Sequence, residues 1–380
     1  MLHRRGKPVE IIPAPNVSDP TRKPFTVALT ADFFDADRRP KYLDVGLSVF
    51  DSQPHIAQHV LGEHRPHIGP EQIADVQGVI VLTPAVTAQT VSRAANLLAI
   101  GRFGVGYDSV DVEACTRADV AVLIAAGAVD RSVAEATVGW MIALGHHLRV
   151  KDRLVRTGQW DQRSHYMGSE LRDRVLGVIG LGGIARATIE LLRPFGMQPP
   201  RAYDPFADPA TAARLGVQLV ALDELLRSAD FVSIHCPLNA QTRGLIGQRE
   251  LAWMKPTSYL INTARGGIVD EEALYAALER GQIAGAAIDC FAEEPVTAPH
   301  RFGKLDNVLL APHSIAWTHE LFRDIGRAAC QSMLDLSLGR RPKGIVNPAV
   351  FERAGFQAKW QRLCGARQAH GPAVAAPGPA

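Results

Sequence analysis

Arg174-Val-Leu-Gly-Val-Ile-Gly180-Leu-Gly182-Gly183-Ile184-Ala185 is a short apolar run that passes straight into Gly-x-Gly-x-x-Ala and then into a stretch of helical periodicity. In a strand–turn–helix unit that binds a dinucleotide, the first glycine makes the tight turn and the second lets the backbone approach a pyrophosphate. The third position must be small so that helix and strand pack closely. Gly180, Gly182 and Ala185 hold those places. The amides from Gly183 and Ile184 onward would face the phosphates at the positive end of the helix dipole. A tight turn that binds nothing has the same local pattern, so the reading depends on the residues further along the chain.

Those residues form an ordered set. Tyr203-Asp204-Pro205 closes the next strand-like run. An acid at that place accepts ribose hydroxyls and repels a 2′-phosphate, and no arginine comes directly after Asp204, so NAD is expected over NADP. Asn262-Thr-Ala-Arg265-Gly-Gly, Ile288-Asp289, Glu294-Pro295 and Pro312-His313 then come in turn after further apolar runs. Arginine at a strand's carboxyl end can hold a carboxylate through two N–H groups. Each of these residues also has an ordinary explanation: a surface ion pair, a turn acid, a structural histidine.

Composition narrows the classes. The chain has 380 residues, 47% of them hydrophobic, with a formal net charge of +2. That length allows two domains with separate cores. The charge leaves no electrostatic footprint for nucleic acid, and no Lys/Arg stripe is present. Cys115, Cys236, Cys290, Cys330 and Cys364 are odd in number and show no paired spacing, which suits reduced thiols in a cytoplasmic protein and no metal site. No apolar run approaches the ~18–20 residues that cross a bilayer, so no membrane partner is expected. The start of the chain has charge without a subsequent apolar stretch, unlike a signal peptide.

Residues 1–22 and 365–380 are rich in Pro, Gly or basic residues and are expected to be mobile tails. Between them, strand-like and helix-like segments alternate, the signature of an α/β fold with parallel sheets. Phe25–Leu29, Val79–Leu82 and Leu97–Gly101 are expected strands of a first unit. Ala121–Ala125, Val175–Gly180, Pro200–Asp204, Phe231–His235, Tyr259–Asn262, Ala286–Asp289 and Val308–Leu310 are read with a second. Asp270 to Arg280 has helical periodicity through Ala273, Leu274, Ala277 and Leu278. Ser132-Val-Ala-Glu135 has the capping-box pattern and is expected to open a helix running to His147.

These motifs resemble the D-2-hydroxyacid dehydrogenase family, NAD(P)-dependent oxidoreductases of 2-hydroxy and 2-oxo acids, from about Ile80 to Asn347. The resemblance is carried by Gly101-Arg-Phe-Gly-Val-Gly106, Ser132 to Thr137, Gly180 to Gly183, His235-Cys-Pro-Leu238, Asn262 to Asp270, Asp289 to Pro295 and Ala311-Pro-His313. It implies two Rossmann-like domains with doubly wound parallel sheets. The cofactor domain (126–315) would be inserted into a substrate or lid domain (23–125, returning over 316–350). It further implies Arg265, Glu294 and His313 as the catalytic set. Asp289 would receive the nicotinamide carboxamide, while Thr83, Val105, Gly106 and Arg265 would meet the substrate. Val105, Thr137, His235, Cys236, Pro237, Thr242, Thr263, Ala264, Arg265, His313 and Ala316 would join the glycine turn around NAD. A homodimer is implied, joined through Ser132 to His147 and Trp160 to Glu170.

Three departures set limits. Gly183 stands where many relatives carry Arg. Trp317 comes after His313 where a small-residue run is common, which implies a bulky pocket wall. No regulatory module is expected after Asn347, so the long phosphoglycerate dehydrogenases are expected to be poor models. Formate dehydrogenases carry Gln where Glu294 stands and are set aside; phosphite dehydrogenases keep the acid and remain an alternative. So does an NADH-sensing protein of the C-terminal binding protein kind, although its Trp lies three residues after the histidine, not four.

Overall fold

The computed structural model describes residues 23–365. The expected tails at 1–22 and 365–380 lie outside the described residues, Gly365 excepted. The chain is α/β and divides into two compact units, one made of the described residues up to Val129 with those from Thr318, the other of Asp130–Trp317. The boundaries fall at 129/130 and 317/318, a few residues beyond the 125/126 and 315/316 expected from sequence.

The first unit holds strands β1 (Phe25–Leu29), β2 (Ile56–Val60), β3 (Gly78–Val81), β4 (Ala99–Arg102) and β5 (Ala121–Ile124), in the order β2-β1-β3-β4-β5. The second holds β6 (Leu176–Ile179), β7 (Arg201–Tyr203), β8 (Gln218–Leu219), β9 (Phe231–Ile234), β10 (Tyr259–Asn262), β11 (Gly285–Ile288) and β12 (Val308–Leu310), ordered β12-β11-β10-β9-β6-β7-β8. All pairings between these strands are parallel. Strands β3, β6, β9, β10 and β11 are buried at every position. Parallel strands covered on both faces read as continuous apolar runs, which is why short Val/Ile/Leu stretches located them.

Three sequence expectations need correction. Ala121–Ile124 pairs with β4 and belongs to the first sheet, not with the second unit's strands. Strands β2 and β8 went unread: Ile56–Val60 carries Gln and His, and Gln218–Leu219 is only two exposed residues long. The expected capping box at Ser132 does not form, because the helix begins earlier and spans Asp130–Gly145. Glu135 pairs instead with Arg131 one turn back. That i,i+4 ion pair uses the carboxylate the box required.

The Glu271–Glu279 helix shows local rules agreeing with packing. Asp270 caps it by accepting from the amides of Glu272 and Ala273, a contact of about 1 kcal/mol. Leu274, Ala277 and Leu278 form its buried stripe against the β9–β11 core. A further helix, Ala354–Cys364, lies beyond the expected return at 350. It docks through buried Phe356, and Lys359 Nζ donates to the carbonyls of Ala94, Leu97, Ala118 and Asp119. Among the described residues, no helix is long and apolar enough to cross a membrane.

Candidate active site

In the seven-stranded sheet, the chain goes from β6 outward to β7 on one side and returns to β9 on the other. Ligands of open parallel sheets bind at the carboxyl ends of the strands around such a reversal. Gly180 leaves β6 there with φ +91°, and a Cβ on it would lie 2.9 Å from the Cys236 amide nitrogen and 3.0 Å from the His235 carbonyl carbon. Glycine is required on both counts. Gly182 is the opposite case: a Cβ there would meet no protein atom within 4 Å. It caps the Gly183–Leu192 helix without a side-chain hydrogen bond, and Ala185 behind it is fully buried. The turn therefore packs tightly on its inner side and stays open where a pyrophosphate would approach.

Asp204 comes just after β7. Its Oδ2 accepts from the Leu181 amide at 2.8 Å and its Oδ1 from the Phe206 amide at 2.8 Å, so it pins the glycine turn. Each carboxylate oxygen has two lone pairs, which leaves one on each for a ribose hydroxyl. At the end of β9, His235 Nε2 shares a hydrogen bond with Ser233 Oγ at 2.9 Å, while its buried Nδ1 has no partner. Burial pushes this imidazole down to about 4, so the ring is neutral. Burial likewise pushes the Cys236 thiol up to about 11. The buried Thr263 hydroxyl, just past β10, also lacks a hydrogen-bond partner. Orphaned buried polar atoms are uncommon in folded proteins. Two of them, with an open glycine turn and an acid on the ribose side, fit a dinucleotide.

Other expected cofactor residues are placed less directly. Pro237 is exposed, and the Thr242 hydroxyl donates to its carbonyl at 2.6 Å. Ile184 and Ala264 are partly buried, and Ala316 is buried at 8% exposure. Thr137 is not brought to this surface. It is fully buried, and its hydroxyl donates to the Val133 carbonyl within its own helix.

The charged residues gather at the carboxyl ends of β10, β11 and β12, which are neighbours in the sheet. His313 Nδ1 donates to Glu294 Oε2 at 2.7 Å, and Glu294 Oε1 accepts from the Phe291 amide at 2.8 Å. Partial burial raises the Glu294 carboxyl. The hydrogen bonds from His313 and Phe291, with the charges of His313 and Arg265, outweigh it and hold the group below the ordinary glutamate range. Arg265 leaves β10 in a turn that Asn262 organises, accepting from the Ala264 amide and donating to the Arg265 carbonyl at 2.9 Å. The His313 side chain keeps 43% of its surface exposed, with Nε2 on the ring edge opposite Glu294.

His313 has φ +52°, an unusual backbone setting for a non-glycine residue. Asp289 holds it. The Asp289 carbonyl accepts from the His313 amide at 2.8 Å, and its Oδ1 accepts from the Ser314 and Ile315 amides at 2.9 and 3.2 Å. Burial pushes the Asp289 carboxyl up, with those amides and His313 pulling the other way. This positioning role was not read from sequence, since nothing in the spacing of 289 and 314 signals it.

Cys290 was missed as well. Its sulfur and ligand atoms of Glu294 and His313 all lie within 4.8 Å of one another, a grouping the sequence does not signal. Trp317 is 53% exposed.

In the first unit, Val105 and Gly106 lie in the loop after β4, partly exposed, and no acceptor takes their amides among the described residues. The backbone amide and the hydroxyl of Thr83 both donate to Asp32 Oδ2, the amide at 2.9 Å. Asp32 is buried, and its Oδ1 has no partner. The Thr83 donors are therefore committed to a carboxylate that no sequence motif marks.

Residues 138–314 match the model of the NAD-binding domain of the D-isomer specific 2-hydroxyacid dehydrogenases. The chain is 37% identical over 272 residues to a D-3-phosphoglycerate dehydrogenase of Archaeoglobus fulgidus, covering 72% of this chain and 51% of the relative. It is 36% identical over 280 residues to a glyoxylate reductase of Thermofilum pendens, covering 72% of this chain and 81% of the relative. Among solved structures, a glyoxylate reductase from Paecilomyes thermophila superposes with TM-score 0.72 at 26% identity, covering 85% of this chain and 98% of that one. The chain spans only about half the length of the phosphoglycerate dehydrogenases it matches. With its fold, its glycine turn and these matches together, the chain belongs to the D-isomer specific 2-hydroxyacid dehydrogenase family, and its second unit carries that family's NAD-binding domain.

Proposed function

We propose that this chain interconverts a small, unphosphorylated 2-oxo acid and its 2-hydroxy acid with NAD(H), His313 moving the proton and Arg265 holding the substrate carboxylate. The observation that carries this reading is the His313–Glu294 pair at 2.7 Å beside Arg265, at the carboxyl ends of adjacent strands in an NAD-binding unit. Gly180, Gly182 and Asp204 would hold NAD(H), with Asp204 on the ribose side, and when bound it would supply or accept the hydride. His313 Nε2 gives a proton to the forming alkoxide in the reducing direction, while Glu294, accepting from Nδ1, fixes the ring's orientation. Arg265 grips the carboxylate and counters charge developing on the carbonyl oxygen. The family resemblance adds Thr83, Val105 and Gly106 as further substrate residues, and the absence of a cation at Leu82, Thr83 and Pro84 weighs against a phosphorylated substrate.

A panel of 2-oxo acids assayed for NADH oxidation tests this, with glyoxylate and hydroxypyruvate set against a phosphorylated 2-oxo acid. Turnover on an unphosphorylated member supports the proposal; NADH binding without turnover on any member overturns it. We also infer a cytoplasmic homodimer. Five free cysteines suit the compartment, and exposed Leu148, Val155, Trp160 and Met167 suit an interface around the expected contact region. Sedimentation as a monomer would contradict the assembly.

A further inference from the structure

Two charged side chains that the hydride chemistry leaves unused lie at the first turn of the Gly183–Leu192 helix, Arg186 from that helix and Asp130 from another. Asp130, which starts the Asp130–Gly145 helix, sets its carboxylate against Gly183. A Cβ on Gly183 would lie 2.0 Å from Asp130 Oδ2 and 2.6 Å from its Cγ, so the acid fills the volume a side chain at 183 would take. Among the described residues, no hydrogen bond reaches this carboxylate. Arg186 stands one turn into the facing helix. Its Nε donates to the Leu181 carbonyl at 2.8 Å, which folds the guanidinium back over the glycine turn and leaves the N–H groups of Nη1 and Nη2. Asp130 feels the Arg186 charge without forming a contact ion pair. The other charges nearby are committed: Arg131 pairs with Glu135, and Asp204 takes the Leu181 amide.

A dinucleotide on this turn brings two negative phosphates to the same helix end. Arg186 attracts them and an ionised Asp130 repels them. We propose that this pair sets cofactor affinity: Arg186 grips the pyrophosphate, and Asp130 takes a proton from solvent as the dinucleotide binds, becoming an O–H donor to a phosphate oxygen. The inference rests on the NAD reading of the turn and names two residues that the hydride mechanism does not use.

Charge decides the sign. Burial already pushes the Asp130 carboxyl above the ordinary aspartate range, against the pull of Arg186. A phosphate pushes it further the same way, so binding takes up a proton and tightens as pH falls. The effect reaches at most about tenfold per pH unit, between the free and bound values.

Titration calorimetry of NADH into the full chain, in two buffers of different ionisation enthalpy, reads the proton directly. The wild type should take up a proton on binding. Asp130→Asn should bind roughly 3- to 10-fold tighter near neutral pH with no proton uptake. Arg186→Gln should bind about tenfold weaker, with Arg186→Lys restoring part of the loss. If Asp130→Asn keeps the wild-type Kd and proton uptake, or Arg186→Gln binds as wild type does, the pair does not act as proposed. A wild type that binds no NADH overturns the nucleotide reading itself, a separate and distinguishable failure.

Discussion

Glu294 and Asp130 are both partly buried carboxylates beside the seven-stranded sheet, and they are shifted in opposite directions. Glu294 accepts from the Phe291 amide and from His313, and it lies below its ordinary range. Asp130 accepts from no described donor and faces only a more distant Arg186, and it lies above its range. Burial pushes both upward; the N–H groups aimed at one of them reverse the result. The difference separates the two regions by task. The β10–β12 end holds a carboxylate kept below its ordinary range by the donors aimed at it, beside a histidine, the arrangement that the proposed proton transfer uses. The glycine-turn end holds a carboxylate poised to lose its charge, beside the place where a polyanion would sit.

The largest effect should come from the β10–β12 end. His313→Ala should lower turnover on the best 2-oxo acid by about 10²–10⁴-fold with NADH binding largely kept, since the proton donor is gone. Steady-state kinetics beside a binding titration check this, and loss of NADH binding would move His313 to the other region. Arg265→Lys should cost roughly 10–10²-fold in kcat/KM, because an ammonium cannot reproduce a planar two-point grip. Retention within twofold across every accepted acid would remove Arg265 from the substrate.

Asp204 probes the glycine-turn end. Wild type should prefer NADH to NADPH by at least about tenfold in kcat/KM, and Asp204→Ala should narrow that gap, since the carboxylate repels a 2′-phosphate. Equal use of both cofactors by the wild type would displace this assignment.

Glu294→Gln touches both charge and pairing. It should lower kcat on the best 2-oxo acid by roughly 3- to 10-fold with NADH binding kept, because the carboxylate that orients the His313 ring is replaced by a weaker acceptor. An unchanged kcat, with chemistry rate-limiting, would leave Glu294 a structural acid.

The smallest effects are on stability, and their opposite signs sharpen the comparison. A depressed carboxylate stabilises the fold above its unfolded value and loses that contribution as pH falls through the folded one. Glu294 therefore supports the fold at neutral pH, and Glu294→Gln should lower Tm there. A raised carboxylate does the reverse: its contribution is complete below the unfolded value and is lost as pH rises through the folded one. Asp130 therefore weakens the fold at neutral pH, and Asp130→Asn should raise Tm. Shifts of the same sign in thermal melts near pH 7 would break the contrast.

Much of this molecule was legible from local pattern. Buried parallel strands are unbroken apolar runs, so β6, β9, β10 and β12 could be read within a residue or two. Gly180 and Ala185 were legible because a tight turn and a close helix leave few residue choices. Arg265, Glu294 and His313 could be named in order as candidates, and the family resemblance supplied the roles proposed for them. Ile56–Val60 and Gln218–Leu219 escaped because a polar strand and a two-residue strand carry no apolar run to read.

Other features were decided only by the tertiary structure, where residues distant in sequence meet. Asp289 braces the His313 loop, Asp32 captures both donors of Thr83, and Asp130 fills the space over Gly183. Local sequence determines which backbone conformations and which buried faces are available. Hydrogen bonds and charges act over a few ångströms of space, so the state of each carboxylate was set only when folding chose its neighbours.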